Sequence, residues 1–188
     1  MNLPNKLTIL RMVLTPVFLV VFLAESVPYH YLIGLAVYSL GCITDFLDGK
    51  IARKYNLITT FGKLCDPVAD KMLTTAALLA LMDAGLCNLY IVFIVLTREF
   101  AVTSVRLAAS AQGVVIPANV WGKIKTISQM VFTILIMLLM ALCEASVIPE
   151  SFPLATVSSV LLWITAVLAV VSGLIYVKDG VKQIDFNK

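Results

Sequence analysis

Charge is scarce in this sequence. Of its 188 residues only 13% are Asp, Glu, Lys or Arg, against roughly 25% in an ordinary soluble domain. The shortage excludes a large soluble appendage, because almost no polar stretch remains to build one. It excludes a disordered chain as well, which needs low hydrophobicity and abundant charge. Histidine is nearly absent: His30 is the only one, so no histidine cluster is available for metal or acid–base work. The four cysteines, Cys42, Cys65, Cys87 and Cys143, include no CxxC pair. They read as small apolar residues in helices rather than as zinc ligands or a disulfide framework. A net charge of +3 is too small for a nucleic-acid binder, and no nucleic-acid partner is expected.

Hydrophobic residues fill the gap, at 61% of the chain. They fall into six runs, at 7–24, 31–51, 67–83, 88–111, 123–143 and 153–177. Most of these runs come close to the roughly 20 residues a membrane-crossing helix needs. Pro28, Pro67, Pro117, Pro149 and Pro153 lie in or beside the breaks, where helix boundaries are expected. The first run resembles a secretion signal, but Phe22 and Ala24 make a poor cleavage site, so it is read as a retained span. The expected fold is all-α: one polytopic membrane domain over residues 1–188, with six transmembrane helices.

Six helices place both termini on one side. The breaks at 25–30, 83–88 and 143–153 contain no Lys or Arg but do carry Glu25, Asp83, Glu144 and Glu150. All 14 basic residues fall elsewhere. By the positive-inside rule the termini and the breaks at 53–66 and 112–122 are cytoplasmic. Tyr29, His30 and Tyr31 read as interfacial anchors on the far side, and Asn2 to Lys6 as a short amphipathic piece along the near surface. Such a short-looped bundle is expected in a plasma membrane.

The second span ends in Thr44-Asp45-Phe46-Leu47-Asp48-Gly49. After the loop come Gly62, Asp66 and Asp70. Asp45 and Asp48 are three apart and Asp66 and Asp70 four apart, so each pair shares a helix face. The two faces can oppose each other across the short loop. Charge is costly at a membrane edge, and four mutually repelling acids are worse without cations between them. All-oxygen ligands suit Mg²⁺ or Mn²⁺, and two such ions form the usual clamp for phosphoryl displacement. Gly49 and Gly62 would permit close approach of a ligand, and Arg53 offers a bidentate phosphate donor. The bland alternative is a solvated edge pairing these acids with Lys50, Arg53, Lys54, Lys63 and Lys71. It fits any one aspartate but not all four. A divalent-cation path through the membrane is the rival from another class. Spans one, five and six carry no midplane carboxylate to continue such a path.

The run from Asp45 to Asp70 reads D-x2-D-G-x2-A-R-x8-G-x3-D-x3-D. With every position filled, it resembles the signature of the CDP-alcohol phosphatidyltransferases. The resemblance implies a six-helix membrane enzyme that moves a phosphatidyl group from a CDP-linked lipid to an alcohol and releases CMP. It implies two divalent cations, Mg²⁺ or Mn²⁺, held by Asp45, Asp48, Asp66 and Asp70, with Asp70 also the base for the acceptor hydroxyl. It further implies a CDP-lipid site shaped by Asn5, Thr44, Gly49, Ala52, Arg53 and Gly62, in a polar cavity open to the cytoplasm. Homodimers in the family suggest a seam at the small residues Ala108, Ala109, Ser110 and Ala111.

The acceptor is read from other segments. Asn2 to Arg11, Thr97 to Arg106 and Gly122 to Gln129 are similar to family members that take sn-glycerol 3-phosphate and use CDP-diacylglycerol as donor. Physical chemistry points the same way. Arg98 lies inside span four, where a lone charge is costly; Glu99 and Arg106 are spaced to pair. Lys123 and Lys125 open span five, an unfavourable place for cations unless an anion sits there. Arg98, Arg106, Lys123 and Lys125 are therefore the expected acceptor-phosphate pocket. The bland alternatives are that Arg98 pairs with Glu99 and that the lysines snorkel to headgroups. Inositol phosphate, serine or phosphatidylglycerol would be other acceptors for the same chemistry.

Overall fold

Each apolar run becomes one α-helix. The computed structural model describes residues 2–55, 60–114, 116–117, 119–149 and 151–182. Its helices are α1 (Leu3–Phe22), α2 (His30–Lys54), α3 (Thr60–Asp83), α4 (Leu89–Ala111), α5 (Val120–Glu144) and α6 (Leu154–Val181). No strand occurs among the described residues. Four helices, α1, α2, α5 and α6, are long and apolar enough to cross a membrane. Within their lengths α3 carries Asp70, Lys71 and Asp83, and α4 carries Arg98, Glu99 and Arg106. Those charges lower their mean hydropathy, and several of them belong to the candidate site.

Local chemistry sets the helix ends. Pro4 lies in the first turn of α1, where its missing N–H costs nothing. Asn88 and Asn119 cap α4 and α5, their side chains accepting from Tyr90 N at 2.9 Å and Trp121 N at 3.0 Å. Helix α3 ends in a left-handed residue, Gly85 at φ 73°. Leu86 N then donates to Leu81 O at 2.9 Å and Gly85 N to Met82 O at 3.0 Å. Gly113 closes α4 by the same hook, which leaves few terminal carbonyls without a partner.

Helix α1 packs along α2 and α3, α2 also packs on α5, and α6 packs on α4 and α5. The apolar core holds Phe18, Phe22, Tyr38, Leu81, Ile91, Ile136, Met137 and Leu162. The outward faces are apolar too: Val20 is 71% exposed and Leu174 67%. Buried instead are Asn5, Thr8, Arg11, Thr15, Thr44, Asp48, Lys125, Gln129, Thr133 and Ser172. Apolar outside and polar inside is the arrangement lipid favours, because interior polar groups can satisfy one another. Most of that buried polar set lies toward one end of the bundle.

Three expectations change. Asn2–Lys6 is not a separate surface piece: α1 is continuous from Leu3 and buries Asn5 and Thr8 on its inner stripe. Pro67 does not open a helix; it lies inside α3. Membrane helices tolerate such a proline when neighbouring groups meet the freed carbonyl. His30 is buried rather than an interfacial anchor. Its Nδ1 lies 2.6 Å from Phe22 O, and Glu144 accepts from His30 N and Tyr31 N at 3.2 and 3.3 Å. The ends of α1, α2 and α5 are tied together there. Exposed Tyr29 keeps its place at the edge. Cys42, Cys65 and Cys143 lie in helices as expected, whereas Cys87 lies in the turn between α3 and α4. Burial pushes the Cys87 thiol, between α3 and α4, up to about 11, which keeps it unreactive at neutral pH.

Helices α1 and α2 approach closely at Gly34. A Cβ there would stand 2.8 Å from Phe22 Cδ2 and 3.2 Å from Phe22 Cβ, and Phe22 is itself buried with little room to move. Gly34→Val should cost about 2 kcal/mol, read as a lowered thermal unfolding midpoint in detergent. An unchanged midpoint would contradict this packing.

Candidate active site

Arg11 stands at the centre of the carboxylate cluster. Its position on the inner stripe of α1 follows from spacing: Asn5, Thr8, Arg11, Thr15, Phe18 and Phe22 all face inward. The guanidinium is completely buried. Its Nη1 lies 2.7 Å from an Asp45 oxygen and 3.4 Å from an Asp70 oxygen, and its Nη2 donates to Asp48. One cation thus gathers three acids from two other helices. Asp48 is nearly buried, whereas the Asp45 and Asp70 side chains are 37% and 54% exposed. Helices α2 and α3 touch each other only briefly, and α1 supplies the residue that joins their acidic faces.

The chemistry of this donor set fits a divalent cation. Three hard carboxylates face one cationic side chain, and carboxylate oxygens are the ligands hard divalent cations prefer. Among the described residues the three acids meet through the Arg11 guanidinium and do not by themselves form a group of three close enough to share a metal. The side chains of Ala52, Arg53 and Asp66 lie outside the described residues, although their backbones belong to α2 and α3. Gly49 is half-buried one residue beyond Asp48, and Gly62 is buried near the start of α3. Thr44 is buried, with its hydroxyl donating to Gly41 O at 2.7 Å. Asn5 is buried two turns before Arg11 on the same stripe.

A second polar knot joins α4, α5 and α6. Glu99 Oε1 accepts from Arg98 Nη1 at 2.9 Å and from Lys125 Nζ at 2.7 Å. Arg98 Nε donates to Ser172 on α6 at 3.3 Å. Gly122 and Gly173 flank the Arg98 side chain so closely that a Cβ on either would stand 3.1 or 2.9 Å from it. The structure therefore brings Arg98 and Lys125 together. Arg106 instead reaches Tyr176, donating to its hydroxyl at 3.3 Å and lying over its ring. Lys123 is exposed: two residues apart on a helix, it and Lys125 point about 200° apart. Glu99 pairs with Arg98 and Lys125, and Arg106 lies two turns beyond. Lys71, the residue after Asp70, donates to Thr103 on α4, whose own hydroxyl donates back to the Glu99 backbone carbonyl at 2.7 Å.

A cavity of about 660 Å³ lies between the start of α5 and the end of α6, lined by Ile116, Pro117, Asn119, Val120, Tyr176, Asp179 and Lys182. None of the described aspartates of the signature lines it. Sequence reading passed over Arg11, Ser172 and Tyr176. Arg11 had a legible signal, a charge in phase with Asn5, Thr8 and Thr15 on one helix face; the other two had none.

Residues 1–171 match the family described as CDP-alcohol phosphatidyltransferase. The chain belongs to that family. It is 40% identical to the CDP-diacylglycerol–glycerol-3-phosphate 3-phosphatidyltransferase of Bacillus subtilis (strain 168), with 92% of this chain and 91% of the relative covered. It is 37% identical to the protein of the same name from Rickettsia bellii (strain RML369-C), with 94% of each covered. In this CDP-alcohol phosphatidyltransferase the filled aspartate signature thus coincides with three acids that converge in space.

The knot at Glu99 predicts a stability effect. Arg98, Glu99 and Lys125 are each less than a quarter exposed, so removing the one acid strands two cations. Glu99→Gln should destabilise the protein by about 3 kcal/mol. Adding Lys125→Met should recover much of the loss in thermal unfolding. A Glu99→Gln protein as stable as the parent would show that the knot is solvated.

Proposed function

We propose that this enzyme transfers the phosphatidyl group of CDP-diacylglycerol to sn-glycerol 3-phosphate, giving phosphatidylglycerophosphate and CMP. The observation that carries the reading is the presence of two charged clusters: three signature acids around Arg11, and Arg98 and Lys125 on Glu99. The first suits a cation-bound diphosphate and the second a small anionic alcohol. The names carried by the relatives support the same donor and acceptor.

Asp45, Asp48, Asp66 and Asp70 would hold two divalent cations, Mg²⁺ or Mn²⁺. Bound there, the cations supply charge stabilisation for the diphosphate and for the departing CMP. The residues do the rest. Asn5, Thr44, Gly49, Ala52, Arg53 and Gly62 line the place of the cytidine diphosphate. Arg98 and Lys125 hold the acceptor phosphate, with Arg106 and Lys123 on its approach. Asp70, the most exposed of the three gathered acids and the one at the longest distance from Arg11, takes the proton of the acceptor 1-hydroxyl. That oxygen forms the new bond to the phosphorus bearing diacylglycerol. The bond from this phosphorus to the oxygen of CMP breaks, and its electron pair leaves with CMP.

In the same reading all six helices cross a plasma membrane, with both termini and the site on the cytoplasmic side. The apolar outer faces keep the donor's acyl chains among membrane lipids while its head enters the bundle. Of the small residues Ala108, Ala109, Ser110 and Ala111 expected at a homodimer seam, Ala109 is buried against this chain's own core, which leaves the exposed Ala108, Ser110 and Ala111 of α4 for that seam.

Asp70→Asn should lower CMP release by at least about 100-fold while CDP-diacylglycerol still binds; undiminished turnover would remove Asp70 as base. Arg98→Ala and Lys125→Ala should each raise KM for glycerol 3-phosphate by about tenfold or more, with KM for the lipid donor little changed. Equal acceptor KM values would move the acceptor site elsewhere. CMP release by the purified protein with CDP-diacylglycerol and varied acceptors tests the whole reading.

A further inference from the structure

Arg11 is a fully buried guanidinium whose Nη1 and Nη2 contact Asp45, Asp48 and Asp70, while its Nε has no hydrogen-bond partner among the described residues. A structural ion pair needs one acid. Three acids on one guanidinium leave surplus negative charge, and a divalent cation satisfies that charge better than a monovalent one. A divalent cation on the same oxygens must displace the guanidinium, because both cannot occupy one point. Once displaced, Arg11 is a buried charge without its partners, a strongly unfavourable state unless another anion meets it. The fork of N–H groups matches a phosphate as well as a carboxylate. The anion that arrives with the cation is the diphosphate of the donor, on the reading proposed above.

We propose that Arg11 is an exchangeable counter-cation. It neutralises the aspartates when no metal is bound, competes with the metal for them, and on displacement becomes a receptor for the donor diphosphate. Arg11 is thereby a positioning residue that couples two binding events. Metal binding alone is weakened because it must eject an arginine. Metal and diphosphate together bind cooperatively because each relieves the cost left by the other. The arrangement also explains why the acids can cluster in a low-dielectric bundle before any ion arrives.

The test is Mn²⁺ binding to the purified full-length protein in detergent, measured from the electron paramagnetic resonance of free Mn²⁺, with and without CDP as a soluble diphosphate probe. Arg11→Gln should bind Mn²⁺ about tenfold or more tightly than the parent. CDP should tighten Mn²⁺ binding in the parent and do so far less in the variant. Without metal the Arg11→Gln protein should unfold at a lower temperature, and Mn²⁺ should raise that temperature by more than it does in the parent. Arg11→Lys keeps the charge but loses the fork, and it should also bind Mn²⁺ more tightly. This second variant serves if Arg11→Gln does not fold. Lysine-variant affinity equal to the parent's would mean that the charge acts only at a distance, and it would overturn exchange. Unchanged or weaker Mn²⁺ binding in both variants would overturn it too, as would the absence of Mn²⁺ binding from all three proteins. These readouts are independent of turnover. A protein inactive toward glycerol 3-phosphate that still shows the competition loses the proposed acceptor and keeps Arg11's role. An active protein without the competition does the reverse.

Discussion

A charge inside a bundle with apolar outer faces has to find its opposite within reach, and most of this molecule's interior is arranged by that demand. Lipid offers no water to solvate a stray carboxylate or ammonium group. The chain meets the demand twice at one end. Arg11 gathers Asp45, Asp48 and Asp70, and Glu99 gathers Arg98 and Lys125. Each knot draws on residues from separate helices, so each also fixes how those helices pack. The apolar core at Phe18, Leu81, Ile91 and Met137 can then be ordinary, because packing there only has to fill space.

The two knots differ in sign of surplus. Around Arg11 the acids outnumber the cation; around Glu99 the cations outnumber the acid. A surplus of carboxylates suits metal ions, and a surplus of ammonium and guanidinium groups suits a phosphate. Between them Lys71, next to Asp70 on α3, reaches Thr103 on α4, one turn beyond Glu99. Charges held ready by internal partners also keep reorganisation small when ligands arrive, which is the basis of electrostatic preorganisation.

The far end of the bundle works without catalysis. Glu144 meets two backbone N–H groups at the start of α2, and His30 reaches the terminal carbonyl of α1. Backbone groups at helix ends need partners as much as side-chain charges do. The lone histidine and a glutamate in a break without basic residues answer that need. Their role is to hold three helix ends together.

The sequence by itself determined the class and number of elements. Six apolar runs separated by polar breaks became six helices, four of them long and apolar enough to cross a membrane, and the spacing of Asp45 with Asp48 and of Asp66 with Asp70 put each pair on one helix face. The caps at Asn88 and Asn119 obey local rules, since a capping side chain acts within its own turn. Tertiary structure decided which charges meet. Arg11 precedes Asp70 by 59 residues, and Lys125 follows Glu99 by 26; no local rule spans such separations. The continuous helix from Leu3, the proline inside α3 and the burial of His30 were likewise set by neighbouring helices. Arg106 was spaced to pair with Glu99, but Lys125 from α5 and Arg98 reach that acid, and Tyr176 takes Arg106. Pairing in a crowded bundle is decided by which helix faces lie opposite, and that is a property of the assembled fold.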